Sequence, residues 1–283
     1  MTDIGDSVLR FYRELPFNCR ETVHDEVRDI LRLDLAEICP SILPAIRSGV
    51  SVLEVGCGVG WLSCHLADRY GCQVTGLDFN AVAIDRAKAS AKAMGLDVTF
   101  VVGDLFTYEP ARRAAIVMSL GVLHHTHDCR LALRRCLETF ASDNADVVVG
   151  LYHKDGRRPF RNHFDQLMRG GAPEEVLLNE YRQLCRHISD QALLYSWFRD
   201  QVLHPHETHH TLREVAEEAA RAGFTVVASS INRFRSIERL EDLYAEESSY
   251  EDLARRRLEA GVYCPGYFVT HLRRRTGGPG QVG

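Results

Sequence analysis

Residues 53–60 read LEVGCGVG. An apolar run, SVLEV (51–55), ends here in glycines at alternate positions, and a helically spaced stretch, WLSCHLADRY (61–70), follows at once. A glycine-rich turn from strand to helix lets backbone approach a ligand closely, with the first helical N–H groups pointing at it. Taken alone the pattern is weak evidence, because many unrelated chains carry it.

The residues that follow strengthen it. QVTGLD (73–78) reads as a second strand and ends in an acid. AVAIDRAKASAKAM (81–94) is helical and closes on Gly95, a C-terminal cap. VTFVVGD (98–104) and AAIVMSL (114–120) are further strands, CRLALRRCLETF (129–140) is an amphipathic helix, and ADVVVGLY (145–152) is a fifth strand. Apolar strands alternating with helices predict βαβ units and a parallel sheet covered on both faces. Glycines at the first strand end, Asp78 at the second and Gly103-Asp104 at the third then share the carboxyl edge, where open sheets of this kind bind ligands. An acid placed like Asp78 can hold both hydroxyls of a ribose.

With LEVGCGVG, VTGLD, GD and SLGVLHH (119–125) in register, residues 49–150 resemble a class I S-adenosylmethionine-dependent methyltransferase of the small-molecule type. The resemblance implies S-adenosyl-L-methionine as cofactor. Gly56, Gly58 and Gly60 would flank its methionine part, and Glu54 would support their loop. Asp78 would hold the ribose, Asp104 the adenine amino group, and Leu105 would lie beside the ring. Cys57, Phe79 and Leu120 complete the expected lining. A nicotinamide-binding domain would instead show GxGxxG and would not need Asp104.

The fold class expected is α/β: a Rossmann-like seven-stranded sheet, last strand antiparallel, with an N-terminal helical lid and a helical cap insertion. The corresponding division is a lid (1–48), a cofactor-binding core (49–152), a cap and acceptor region (153–210), the remainder of the core (211–272) and a disordered tail (273–283). A capping box at Thr211 and Glu214 opens the helix that resumes the core.

Methyl transfer asks a protein to align a nucleophile and, for some acceptors, to remove a proton. Three clusters are candidates for the acceptor side. His124 and His125 follow the fourth strand directly. LYHKDGRRPF (151–160) reads as a basic loop, with Lys154, Arg157, Arg158 and Arg161 within eight residues, suited to a carboxylate or phosphate. FYRELPFN (11–18) places Tyr12 in the lid. The expected catalytic residues are His125, His124, His206, Glu207 and Tyr12, with Tyr152, Lys154, Arg157 and Arg158 binding the substrate.

His206 and Glu207 belong to HPHETHH (204–210), which spells HExxH, a zinc-protease pattern. A zinc site of that kind needs both histidines one turn apart on a helix. Pro205 and the capping box put the segment outside a helix, so no metal is expected. Its place before a sheet-packing helix instead sets His204, His206, Glu207 and His210 toward the acceptor.

The totals fit a small-molecule enzyme. Of 283 residues, 34 are basic and 39 acidic, a net charge of -5 that weighs against the alternative of an RNA or tRNA methyltransferase. A third reading, a non-catalytic S-adenosylmethionine-binding protein, would require a shallow pocket with no base. The nine cysteines show no CxxC pair and read as reduced thiols. With neither secretory signal nor membrane span evident, the expected location is cytoplasmic. The expected partner is a small-molecule acceptor, with no nucleic acid or membrane, and homo-oligomerisation is left open.

Overall fold

A computed structural model describes residues 2–275. The chain opens with α1 (Asp3–Glu14), α2 (Val23–Arg32) and the single turn α3 (Leu35–Ile38), all outside the sheet. The alternating part follows: β1 (Ser51–Val55), α4 (Trp61–Tyr70), β2 (Gln73–Asp78), α5 (Ala81–Met94), β3 (Thr99–Val102), β4 (Ala114–Leu120), α6 (Cys129–Arg134) and β5 (Ala141–Tyr152). Next come α7 (Lys154–Arg169), α8 (Glu174–Leu184) and α9 (Gln191–Phe198). The core resumes with α10 (Leu212–Arg221), β6 (Phe224–Ser229), α11 (Leu240–Glu247), α12 (Tyr250–Glu259) and β7 (Tyr267–Arg274).

The seven strands form one sheet in the order β3-β2-β1-β4-β5-β7-β6. β7 runs antiparallel to both of its neighbours, and the other pairings are parallel. This is the seven-stranded sheet expected. Strand order reverses between β1 and β4, which opens a crevice at their carboxyl ends. The central strands are apolar on both faces because helices cover both. Val117, Val147, Val149 and Leu272 pack into one core, and Val52, Ile116, Met118 and Val148 into the other.

Residues 153–203 bury a cluster of their own, with Phe160, Phe164, Leu177, Tyr181, Leu194 and Phe198 at its centre. The sequence reading of 151–160 as a basic loop needs correction, because Lys154 begins α7. His153 caps that helix, its Nδ1 accepting from the Asp155 and Gly156 N–H groups, while Arg158–Asp155 and Arg161–Asp165 pairs lie along its surface. The basic residues are thus spaced around a helix rather than gathered on a loop. At the C-terminus β7 runs through Arg274, two residues into the expected tail, and 276–283 lie outside the described residues. Among the described residues, all nine cysteines are free thiols, and no helix is long and apolar enough to cross a membrane.

Candidate active site

The glycine loop is shaped by backbone. Gly56, Gly58 and Gly60 all have positive φ (+73°, +51° and +78°). A Cβ on Gly56 would strike Val122 Cγ2 at 2.4 Å, and one on Gly60 would strike Ala87 Cβ at 2.7 Å. At Gly58 a Cβ would meet nothing within 4 Å, so this glycine borders open space. Asp78 braces the loop: its carboxylate accepts from the Gly58 N–H at 2.8 Å and the Asn80 N–H at 2.8 Å. Glu54 lies buried behind the loop, accepting from the Ser63 hydroxyl, and burial pushes its carboxyl up to about 8. Asp104 caps the turn after β3 by accepting from the Phe106 N–H at 2.9 Å. Leu105 and Phe106 pack against the sheet beside it.

The lid is anchored to this edge. Buried Glu26 of α2 bonds Arg86 and Ser90 of α5, and Asn80 Nδ2 donates to the Tyr12 carbonyl at 2.9 Å. Tyr12 is thereby held next to the loop that carries Asp78.

On the side where the sequence places the acceptor lies a buried polar cluster. Tyr12 O–H donates to Asp200 Oδ1 at 2.5 Å, and Tyr152 O–H lies 3.5 Å from Asp200 Oδ2. His125 Nδ1 contacts the His206 carbonyl at 2.9 Å. A carbonyl only accepts, so Nδ1 carries the proton and Nε2 presents a lone pair, 3.9 Å from Asp200 Oδ1. Burial pushes the His125 and His204 imidazoles below their ordinary range and the Asp200 carboxyl above its own. The His125 and His204 rings lie 3.8 Å apart, and His124 stacks 4.2 Å from both His125 and Tyr152. Both ring nitrogens of His124, Nε2 of His125 and Nε2 of His204 are buried without a hydrogen-bond partner. Such atoms are costly inside a protein, and four of the nine found among the described residues gather here.

HPHETHH is extended rather than helical. The His210 N–H donates to the Tyr152 carbonyl, the Lys154 N–H donates to the His210 carbonyl, and the Thr208 N–H donates to the His124 carbonyl, at 2.8–2.9 Å. The segment is thus laced to the exits of β4 and β5. Its two HExxH histidines have separate partners: His206 Nε2 meets the Thr126 carbonyl at 3.1 Å, and His210 Nε2 meets the Thr208 hydroxyl at 2.9 Å.

Of the residues expected on the acceptor side, the structure brings Tyr12, His124, His125 and Tyr152 into one cluster. His206 reaches it through its carbonyl. Two expectations need correction. Arg157 is fully buried, its guanidinium 3.8 Å over the Tyr152 ring, and it donates to Glu207, to the Gln201 carbonyl and to the Pro265 carbonyl. Four of its five N–H groups are thereby committed inside the protein, and it does not line the outer cavity. Glu207 is correspondingly unsuited as a base, because the Arg157 charge holds its carboxyl well below the usual range despite burial.

Lys154 and Arg158 line an outer cavity of about 570 Å³ with Arg161, Asn162, His206 and His209. His204 and Glu207 also line this cavity, and His204 packs 3.8 Å from the His125 ring of the cluster.

Two residues of the site escaped sequence reading. Asp200 sits in a π-helical turn, Arg199–Leu203, that continues α9. An acid between Phe198 and Val202, both buried, is its only signal, and π turns are frequent at functional sites. Asn80 reads as an ordinary helix cap for α5, which it also is.

Residues 52–143 match the family model described as a methyltransferase domain. A ubiquinone biosynthesis O-methyltransferase of Rhodopseudomonas palustris (strain BisB5) is 36% identical over 89 residues, 31% of this chain and 35% of that protein. A probable (S)-tetrahydroprotoberberine N-methyltransferase 2 of Papaver bracteatum is 28% identical over 124 residues, 43% of this chain and 34% of that protein. The chain thus matches about a third of the length of these curated relatives. Magnesium protoporphyrin IX methyltransferase from Synechocystis PCC 6803, solved with bound SAH, superposes with a TM-score of 0.53 at 15% identity, covering 96% of this chain and 94% of that one, a likeness of fold. Residues 52–143 thus match a methyltransferase domain, and the chain as a whole shares the Rossmann-like fold of that methyltransferase structure.

Proposed function

We propose that this protein transfers a methyl group from S-adenosylmethionine to a small anionic or aromatic acceptor. The observation that carries the reading is the meeting, at one sheet edge, of an open glycine loop braced by Asp78 with a buried polar cluster centred on His125 and Asp200.

The residues present fit the cofactor. Gly58 borders open space, where a thin ligand passes close to backbone. The Asp78 carboxylate uses two of its roughly four lone-pair sites on backbone N–H groups, which leaves acceptor capacity for the two hydroxyls of a ribose. Asp104 keeps an oxygen for an amino group, and Leu105 offers an apolar neighbour to a ring. Glu54 sets a carboxyl behind the loop. When bound, S-adenosylmethionine supplies a methyl group already activated on a sulfonium.

The chain's own part is to orient the acceptor, exclude water and manage a proton. Tyr12 closes the cluster from the lid, and burial of the cluster keeps water out. Acceptor activation centres on the His125–Asp200 pair, because His125 Nε2 is an unpartnered lone pair beside a carboxylate. The outer cavity offers Lys154 to the anionic end of an acceptor, whereas Arg158 and Arg161 on the same wall are already paired with acids.

Calorimetric titration with S-adenosylmethionine and S-adenosylhomocysteine tests the cofactor reading. Both should bind, and Asp78→Ala should weaken them by about 1.5–3 kcal/mol through loss of a charged acceptor. Unchanged affinity in that variant would remove Asp78 from the site.

A further inference from the structure

We propose that His125, His204 and Asp200 take up one divalent transition-metal ion. One candidate ligand atom from each lies within 4.8 Å of the other two, and all three residues are buried. The residues are remote in sequence, and the fold alone assembles them: His125 from the exit of β4, Asp200 from the π turn after α9, and His204 from the end of that turn.

The strongest argument is the facing of acceptors. His125 Nδ1–H is committed to the His206 carbonyl, so the Nε2 lone pair confronts Asp200 Oδ1 at 3.9 Å with no proton donor between them. Two acceptors held together in a buried place call for a cation. An imidazole whose far nitrogen donates to a backbone carbonyl is also the usual arrangement of a metal-ligating histidine, since that bond fixes tautomer and ring orientation. Asp200 is oriented in the same way, by the Tyr12 hydroxyl on one oxygen and the Tyr152 hydroxyl near the other. His204 Nδ1 accepts from the His206 N–H at 3.1 Å, which puts the ring proton on Nε2. Ligation by this ring gives up that backbone bond or displaces that proton, so uptake is coupled to protons.

Two imidazoles and one carboxylate suit zinc with an open position, or iron(II) and its neighbours. Ligand bonds of about 2.0–2.1 Å require the three side chains to draw inward by roughly an ångström. This ion site is separate from HExxH, to which neither His125 nor His204 belongs, and it replaces the sequence expectation of no metal. It deepens the proposed function, on which its chemical role rests. An ion held there would make the proton of an acceptor hydroxyl easier to lose, the proton leaving toward the outer cavity that His204 lines, and the freed oxygen electron pair would form the bond to the methyl carbon as the bond to sulfur breaks.

The test uses the full chain stripped with chelator. Zn²⁺ is titrated by calorimetry, and Co²⁺ uptake is followed by visible absorption. One ion per chain is expected. Affinity should fall in Asp200→Asn and in His204→Gln by more than the roughly 10–100-fold that loss of a mere outer-shell partner costs. His210→Ala, which would break a site at HExxH, should bind as the parent does. Circular dichroism and S-adenosylmethionine titration check that the variants remain folded. Absence of saturable uptake by the parent would overturn the proposal, as would uptake lost in His210→Ala and kept in Asp200→Asn. Uptake of one ion by a chain that ignores S-adenosylmethionine would uphold the ion site and sink the methyltransferase reading alone.

Discussion

The two sides of the site are held by different means. On the cofactor side, backbone does the shaping: positive-φ glycines, N–H groups donated to Asp78, and a capped turn at Asp104. Each of these is local, within a few residues of a strand end or between neighbouring strands. On the acceptor side, side chains from α1, the exits of β4 and β5, the π turn after α9 and HPHETHH converge from separate parts of the chain. One side is a general device for holding a nucleotide-like ligand. The other is assembled from distant parts of the chain, and its polarity is balanced by a few buried contacts. Substitutions should therefore do different things on the two sides, and the largest effect should fall where two opposite charges are buried together.

That place is the Arg157–Glu207 pair, which fixes HPHETHH to α7. Arg157→Ala leaves the buried Glu207 carboxylate with His209 at 2.8 Å and Arg161 at 3.5 Å, and without the guanidinium that contacts both of its oxygens. Removing one member of such a pair costs about 3–5 kcal/mol. Chemical denaturation should show that loss at neutral pH. The loss should shrink in acid, by the following sign. Glu207 has its folded pKa lowered, so its contribution is present above the ordinary glutamate value and disappears as pH falls toward the folded one. Equal stability of variant and parent at neutral pH would show that the acceptor side does not depend on this pair.

The same contrast explains what could be read in advance. The strands, their order of appearance and the acids at β2 and β3 were legible because the signals are periodic and adjacent, as in LEVGCGVG and VTGLD. The capping box at Thr211 and Glu214 correctly kept HPHETHH out of a helix. Arg157 was misread because a run of basic residues says nothing about which face of a helix each will occupy. Once 154–169 is helical, Arg157 turns inward to Glu207 while Arg158 turns outward to Asp155 and Glu251. Asp200 was missed because its meaning lies in partners 188 and 48 positions away, Tyr12 and Tyr152. No window along the chain contains that information.

A second effect, smaller in free energy, should separate the sides functionally. His125→Ala removes the nitrogen on which acceptor activation centres while leaving the glycine loop and Asp78 untouched. Turnover should drop by roughly 100-fold or more, with S-adenosylmethionine affinity intact. Steady-state rates paired with calorimetry distinguish this from general damage. A matching loss of cofactor affinity would mean that the two sides are not separable, and a normal rate would move activation away from His125.

The smallest effect concerns a proton on the cofactor side. Burial pushes the Glu54 carboxyl up to about 8, so at pH 7 the neutral form is favoured in ligand-free molecules. A sulfonium and an ammonium arriving in front of the loop favour its ionised form, since opposite charge lowers a carboxyl pKa. Cofactor binding should therefore release a fraction of a proton at pH 7, and less as pH rises past 8. Stability should follow the same group with the opposite trend to Glu207. A carboxyl whose folded pKa is raised binds more protons folded than unfolded, so between the ordinary glutamate value and about 8 it lowers stability as pH increases. Glu54→Gln, which keeps an acceptor for the Ser63 hydroxyl, should abolish both the proton release and that slope while keeping the loop in place. Calorimetry of cofactor binding in two buffers of different ionisation enthalpy measures the released proton directly. The same heat in both buffers at pH 7 would show that Glu54 does not sense the ligand's charge, and that the loop alone holds the cofactor's charged end.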